Sequence, residues 1–109
     1  MALRRGYVYW AMFDKRRPAL VLSPDYRNER ASDVIVVPST TVLREAPTHV
    51  RLRRGEGGVP QPSVLKCEQV TTLHQSAIEP RPLGAALPAA RMAEIERALL
   101  RAIVIPVPL

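Results

Sequence analysis

The feature that most constrains the fold is a series of short β-prone segments, each ended within a few positions by charged residues, proline or glycine. The strongest segment is 33–38, where four β-branched residues follow one another, a pattern typical of a strand buried on both faces. Segment 48–53 alternates polar with apolar residues, as a half-buried strand does. We predict strands over 7–13, 18–23, 33–38, 48–53, 63–70 and 78–83, the last interrupted by two prolines and therefore at most an edge strand.

One helix is predicted at the end of the chain. From Pro88 onward, apolar residues recur at steps of three and four, which is the spacing of an amphipathic helix. The helix should end before Pro106, because the residue preceding a proline avoids the helical conformation. Short strands and one terminal helix in a chain of 109 residues favour a mainly β fold with α, a small and strongly bent barrel. We expect one domain over residues 1–109, with the apolar tail 103–109 at a subunit interface or on its own barrel.

Several classes of protein are disfavoured by the sequence. Cys67 is the only cysteine, so no internal disulfide can form, as is usual in a reducing compartment. No apolar run approaches the roughly 20 residues that span a bilayer, and none has the form of a signal peptide. We therefore expect a cytoplasmic protein without a membrane segment. His49 and His74 lie in no cluster with ligand spacing, so neither a metal nor a cofactor is predicted.

The basic charge is carried almost entirely by arginine. The formal net charge is +6, and fourteen of the sixteen cationic side chains are arginines. Arginine binds phosphate in a two-pronged way, which favours a polyanionic partner, although a GC-rich genome would also enrich arginine. Arg51 and Arg53 share one face of a predicted strand and, with aromatic residues, could grip single-stranded nucleic acid. The alternative is a solvated face that keeps the protein soluble.

Two segments place chemical groups at the ends of buried strands. Arg16 and Arg17 precede the apolar run that begins at Pro18, and residues 34–38 are followed by Ser39, Thr40 and Thr41. If the strands are neighbours, a guanidinium and hydroxyls converge where a phosphodiester could bind and where developing charge would be stabilised. Without a metal, the simplest nucleophile is the 2′-hydroxyl of RNA itself. The alternative is that the hydroxyl residues form an ordinary turn.

Six parts of the chain occur together in an order typical of one protein family: 5–10, 16–23, 36–41, 47–50, 62–70 and the closing helix. In these parts the chain resembles the MazF/PemK family of toxin endoribonucleases from bacterial toxin–antitoxin pairs. The resemblance implies an SH3-like (CcdB/MazF-type) small barrel with a C-terminal helix, assembled as a homodimer. It implies metal-independent cleavage of single-stranded RNA that leaves a 2′,3′-cyclic phosphate and a 5′-hydroxyl, and neutralisation by a cognate acidic antitoxin.

The resemblance also assigns roles to individual residues. It implies that Arg17, just before the proline, and Thr40, after the third strand, are the catalytic residues. Gln69 corresponds to a family position near the RNA groove, where it could contact a base or only support a loop. Together with the basic and hydroxyl residues above, this gives a set of substrate-binding candidates, which are Lys15, Arg16, Ser39, Thr41, Gln69, Arg51 and Arg53.

The sequence departs from the family in two places. Tyr7 stands where many members have aspartate, and only about four residues, 14–17, connect the first two strands. Many members have a long loop there that shapes the RNA groove. The shortened connection puts the cleavage sequence in doubt, and it leaves two alternatives open: a non-catalytic nucleic-acid-binding barrel, or a toxin that poisons DNA gyrase. Lys15 and Arg16 could replace the phosphate contacts of the missing loop.

Overall fold

The computed structural model describes residues 2–104, so most of the apolar tail predicted above lies outside the described residues. Seven strands form one antiparallel sheet, with the order β4-β5-β3-β2-β1-β7 and with β6 paired to β3. The strands are β1 (Val8–Met12), β2 (Arg16–Val21), β3 (Asp33–Thr40), β4 (His49–Leu52), β5 (Ser63–Lys66), β6 (Thr71–His74) and β7 (Ile78–Pro82). The helices are α1 (Asp25–Asn28) and α2 (Ala89–Ala102), and single 3-10 turns lie at Glu56–Gly58, Cys67–Gln69 and Gln75–Ala77.

The central strand β3 bends the sheet into a barrel-like shape. Its first half pairs with β6, its middle with β2, and its last two residues, Ser39 and Thr40, pair with Leu65 and Val64 of β5. One strand therefore pairs with three others along its length, and β5 holds its final residues.

Both faces of the sheet are buried, as the run of β-branched residues in β3 predicts. Val37 belongs to a core that includes Ile95 of α2, whereas its neighbour Val36 belongs to a second core with Tyr9 and Val34. Successive side chains of a strand point to opposite faces, so an unbroken apolar run can serve two cores. The apolar pattern predicted for α2 is confirmed at Ile95, which is fully buried, and at Met92 and Leu99, which pack against the same core. Its last residue, Ile103, is 55% exposed.

Several predicted boundaries were wrong. The segment 63–70 is not one strand: β5 ends at Lys66, a 3-10 turn follows, and the separate strand β6 was missed. The polar segment 24–30 contains the one-turn helix α1, where the side chain of Asn28 is buried and donates to the carbonyl of Ser23 at 2.9 Å. By contrast, helix α2 ends at Ala102, before Pro106 as predicted.

The connection between β1 and β2 is as short as predicted. Only residues 13–15 separate the two strands, and the backbone N–H of Phe13 donates to the carbonyl of Lys15 at 3.1 Å. Arg16 and Arg17 belong to β2 rather than to the turn. The predicted edge strand is confirmed, because β7 lies at the end of the sheet beside β1. Among residues 2–104, no helix has the length and apolar character needed to cross a membrane.

Candidate active site

Arg17 is fixed at the start of β2 and is mostly covered. It pairs with Ala11 of β1, and its side chain is 19% exposed. Its Nη2 donates to Oδ1 of Asp14 at 2.9 Å, and its Nη1 lies 3.5 Å from the carbonyl oxygen of Ser39. The Nε atom is buried and has no hydrogen-bond partner among the described residues. An unpaired buried donor is costly, so the Nε atom lowers the stability of this arrangement.

The strand register accounts for the presence of Thr40 near Arg17. The β2–β3 pairing ends with Ala19 and Pro38, and continuing this antiparallel register by two residues on each strand leads to Arg17 and Thr40. The Oγ1 of Thr40 accepts a hydrogen bond from the backbone N–H of Val42 at 3.2 Å. A hydroxyl that accepts from the backbone keeps its own hydrogen for donation, so Thr40 can donate to a phosphate oxygen.

These two residues line one cavity of about 250 Å³, which we call the Arg17–Thr40 cavity. Four of the predicted substrate-binding residues, Lys15, Arg16, Ser39 and Thr41, also line this cavity, so the structure places the arginines and the hydroxyl residues at one end of the sheet. Ser39 is among them, but its hydroxyl is buried and donates to the carbonyl of Pro18 at 2.7 Å. The lining residues are Trp10, Lys15, Arg16, Arg17, Pro18, Ser39, Thr40, Thr41, Pro60, Gln61 and Ser63.

Three cationic side chains, Lys15, Arg16 and Arg17, line the cavity. Carboxylates of Glu79 and Asp14 pair with two of them, Arg16 and Arg17. The guanidinium of Arg16 is bound by Glu79 through two contacts, Nε to Oε2 at 2.6 Å and Nη2 to Oε1 at 3.0 Å. Partial desolvation acts to raise the pKa of Asp14, but the charge of Arg17 and local hydrogen bonds hold that pKa below its usual value. Asp14 is therefore an ionised counter-ion of Arg17 at neutral pH and a weak proton acceptor.

Three predicted binding residues lie elsewhere. Arg51 is exposed on β4, as the alternation predicts, but it lines a different cavity of about 520 Å³ together with Arg44 and Glu94. Arg53 is exposed after β4 and lines neither cavity. Gln69 is exposed in the turn after β5, beyond the strand end opposite to Ser63. These placements give no support for contacts with a ligand held by Arg17 in the same chain.

Sequence reasoning missed the contribution of the loop before β5. Pro60, Gln61 and Ser63 line the Arg17–Thr40 cavity, although the sequence predicts only a loop over 55–62 and the start of a strand at Ser63. The sequence contains no signal for this placement, since it depends on how β5 pairs with the end of β3.

The remaining candidate ligands do not form a metal centre within residues 2–104. No three His, Cys, Asp or Glu side chains of this part of the chain lie close enough to hold an ion. Cys67 is fully buried, and burial together with the negative charge of Glu68 raises the pKa of its thiol to about 12. Glu68 instead contacts Nε2 of His49 at 3.1 Å. This supports the interpretation of Cys67 as a core residue and not a nucleophile.

Comparison with known proteins gives a consistent result. A family model described as "PemK-like, MazF-like toxin of type II toxin-antitoxin system" matches residues 4–103. The curated protein "Endoribonuclease MazF3" of Mycobacterium tuberculosis is 33% identical over 66 residues, which cover 61% of this chain and 63% of that protein. The matched region thus spans less than two thirds of this relative's length.

Solved structures match over nearly the whole chain. "Mycobacterium tuberculosis toxin MazF-mt6" has a TM-score of 0.84 and 28% identity, covering 93% of this chain and 99% of that one. An endoribonuclease in complex with its cognate antitoxin, from a mycobacterial species, has a TM-score of 0.84 and 30% identity, covering 98% and 100%. The predicted mainly β fold with a C-terminal helix is therefore confirmed.

Proposed function

Because the chain belongs to the family of PemK-like, MazF-like toxins of type II toxin–antitoxin systems, we propose that it is a sequence-specific endoribonuclease that cleaves single-stranded RNA. The observation that carries this proposal is that Arg17 and Thr40 line the same cavity. A guanidinium beside a hydroxyl that can still donate suits a phosphate group.

In the proposed reaction, the RNA supplies its own nucleophile. The 2′-oxygen of a ribose attacks the adjacent phosphorus and loses its proton, a 2′-O–P bond forms, and the P–O5′ bond breaks as the 5′-oxygen gains a proton. The products are a 2′,3′-cyclic phosphate and a 5′-hydroxyl. Since the nucleophile is already attached to the substrate, the protein has to orient the chain and stabilise charge, and the proposal requires no metal-bound water.

The residues divide this work according to their chemistry. The Arg17 guanidinium stabilises the negative charge that grows on the phosphate oxygens, and the Thr40 hydroxyl donates a hydrogen bond to one of them. A guanidinium keeps its proton at neutral pH, so electrostatic support is the role we assign to Arg17. Lys15 lies on the same cavity and supplies a further phosphate contact.

The test is cleavage of a long single-stranded RNA in the presence of EDTA. Arg17→Ala and Thr40→Val should each lower kcat by about 100- to 1,000-fold, the usual effect of removing one charge-stabilising donor. Arg30→Ala and Thr72→Val are matched controls, because both side chains are exposed away from the cavity. New RNA ends should be labelled directly by polynucleotide kinase, which requires a 5′-hydroxyl. Wild-type protein that cuts no RNA in any sequence context, or undiminished cleavage by Arg17→Ala, would overturn the proposal.

We also propose that the protein is a homodimer neutralised by an acidic antitoxin. The formal charge of +6 and the cationic cavity suit a partner of opposite charge, which would bind quickly at low salt. One structural relative is an endoribonuclease in complex with its cognate antitoxin. Light scattering should give twice the chain mass of 12.1 kDa, and an acidic antitoxin peptide should compete with RNA. Independent binding of RNA and peptide would contradict competition.

A further inference from the structure

We propose that a second cavity, between Trp10 and Glu79, is a nucleobase subsite that selects bases with an exocyclic amino group. This inference rests on the proposed function, because it assigns a role to a surface next to the scissile phosphate. The Trp10–Glu79 cavity measures about 330 Å³, within the range of small-ligand pockets. It shares Trp10 and Pro60 with the Arg17–Thr40 cavity. The two cavities are therefore neighbours, as a base and its phosphate would require.

Trp10 supplies a stacking surface between the two cavities. The guanidinium of Arg16 lies over the indole at 4.1 Å from the ring centroid. Arg16 lines the Arg17–Thr40 cavity but not the Trp10–Glu79 cavity, so it covers the indole from the phosphate side. A base in the Trp10–Glu79 cavity can stack on the remaining surface, and stacking of this kind strengthens binding by about 5- to 150-fold.

Glu79 supplies the selectivity. Both carboxylate oxygens accept from Arg16, but each oxygen of an ionised carboxylate can accept a second hydrogen bond. The hydrogen bond from Arg16 holds the pKa of Glu79 below its usual value, despite partial desolvation, so the group is an acceptor only at neutral pH. A carboxylate repels the RNA backbone, whereas the amino groups of adenine, cytosine and guanine can donate to it. Uracil has no amino group, and its single N3–H donor lies between two carbonyl oxygens that a carboxylate repels, so uracil is disfavoured.

Two features fix this carboxylate in place. Glu79 lies on β7, which pairs directly with the β1 strand that carries Trp10, and the two contacts from Arg16 orient its plane. The exposed Arg81, two residues further along β7, lines the same cavity and can pair with the next phosphate. The paired strands β1 and β7 thus supply the stacking surface of Trp10, the hydrogen-bond acceptor of Glu79 and the phosphate contact of Arg81.

The first test is to map cut sites on a long RNA by sequencing its new 5′-hydroxyl ends. For the wild type, one position beside the cut should favour adenine, cytosine or guanine over uracil by about 5- to 150-fold, the discrimination of a good base contact. Glu79→Gln should reduce that preference at this position alone, with other positions unchanged. Glu29→Gln, an exposed change after α1, should leave all preferences intact. An unchanged preference in Glu79→Gln would overturn the proposal.

The second test uses the fact that Trp10 is the only tryptophan. A short RNA with a 2′-deoxyribose at the mapped cut lacks the nucleophile and stays intact, and its binding should quench the Trp10 fluorescence in a saturable way. Trp10→Phe should cleave with a KM near that of the wild type because it can still stack, whereas Trp10→Leu should raise KM by at least fivefold. Cleavage with no change in fluorescence on binding would overturn the subsite and leave the endoribonuclease proposal standing. Absence of RNA cleavage by the wild type would overturn the endoribonuclease proposal.

Discussion

The C-terminal helix is clamped to the loop that borders the candidate site, and this clamp allows a quantitative prediction. Arg91 of α2 donates from Nε to Oε2 of Glu56 at 2.9 Å and from Nη2 to Oε1 at 2.8 Å. Glu56 also accepts from the backbone N–H of Arg53 at 2.7 Å. Glu56 begins the turn that leads to Pro60, which lines both cavities. The pair therefore ties the last helix to the site.

The expected effect follows from the geometry of this pair. A hydrogen bond to a charged group contributes about 1.5–3 kcal/mol, but both side chains are 25% exposed, so solvent screening lowers the value. We expect a coupling free energy of about 1–3 kcal/mol for the two bonds together. Arg91→Met keeps helix propensity and length, and Glu56→Gln keeps the shape of the side chain. Each single change should lower the free energy of unfolding by about 2 kcal/mol and Tm by roughly 8–16 °C, at about 4–8 °C per kcal/mol.

The assay is a double-mutant cycle measured by urea unfolding with Trp10 fluorescence. Arg97→Met on the exposed side of the same helix is the control and should change stability by less than about 0.5 kcal/mol. If the effects of Arg91→Met and Glu56→Gln on the free energy of unfolding are additive within about 0.5 kcal/mol, the clamp does not stabilise the fold and the reasoning fails.

The pH dependence of stability gives a second check. Hydrogen bonds from Arg91 hold the pKa of Glu56 below 4.5, outweighing partial desolvation, so this stabilisation should be present above pH 4.5 and disappear as the pH falls through the lower folded-state pKa. Glu56→Gln should lack that acid-dependent loss.

Three further outcomes are expected. Asp14→Asn removes the counter-ion 2.9 Å from Arg17 and should lower KM for RNA by about two- to fivefold; a higher KM in steady-state cleavage would contradict this role. Gly58→Ala should prevent stable folding, since a Cβ would overlap the backbone of Leu83 at a φ of +87°. Its control, Gly55→Ala, has an open surrounding at a φ of +92° and should cost only about 1–2 kcal/mol in urea unfolding. Cys67 should react with a thiol reagent at pH 8 only after unfolding, because its pKa is about 12 in the folded chain. For the same reason the wild type should lose stability relative to Cys67→Ala as the pH rises above 9, and rapid labelling of the native protein would refute both statements.

Sequence patterns predict the elements whose apolar side chains alternate or recur at a regular spacing. They fail where an element is determined by its pairing with a distant strand. The β-branched run of β3 and the apolar spacing of α2 are properties of neighbouring residues, so both elements were predicted correctly. Strand β6, by contrast, is exposed or half-buried along its length and has no apolar pattern to show its presence. The break after Lys66 was missed because a 3-10 turn and a strand can contain the same residue types.

The residues of the candidate site show the same difference between local patterns and long-range pairing. Arg17 and Thr40 could be placed together because each lies at one end of a buried strand and because the family resemblance assigns both to the same catalytic site. The positions of Gln69 and Arg51 relative to the cavity depend on which end of β5 faces it. Val64 of β5 pairs with Thr40 on one side and with Arg51 on the other, and only this register determines that end. Local patterns carry no information on such a register, since it is set by contacts between residues distant in the chain.

The short turn between β1 and β2 determines where selectivity can come from. The turn has three residues and is closed by its own backbone hydrogen bond from Phe13 to Lys15, so it has too little length to fold over the Arg17–Thr40 cavity. A loop that closes on RNA could read bases by moving, whereas this site has to read them with groups that are already in place. Trp10 and Glu79 lie beside the cavity on paired strands, and both contact Arg16. Base preference in this protein should therefore depend on those two side chains, and substitutions confined to the turn, such as Lys15→Gln, should change the affinity for RNA without changing the cleavage sequence.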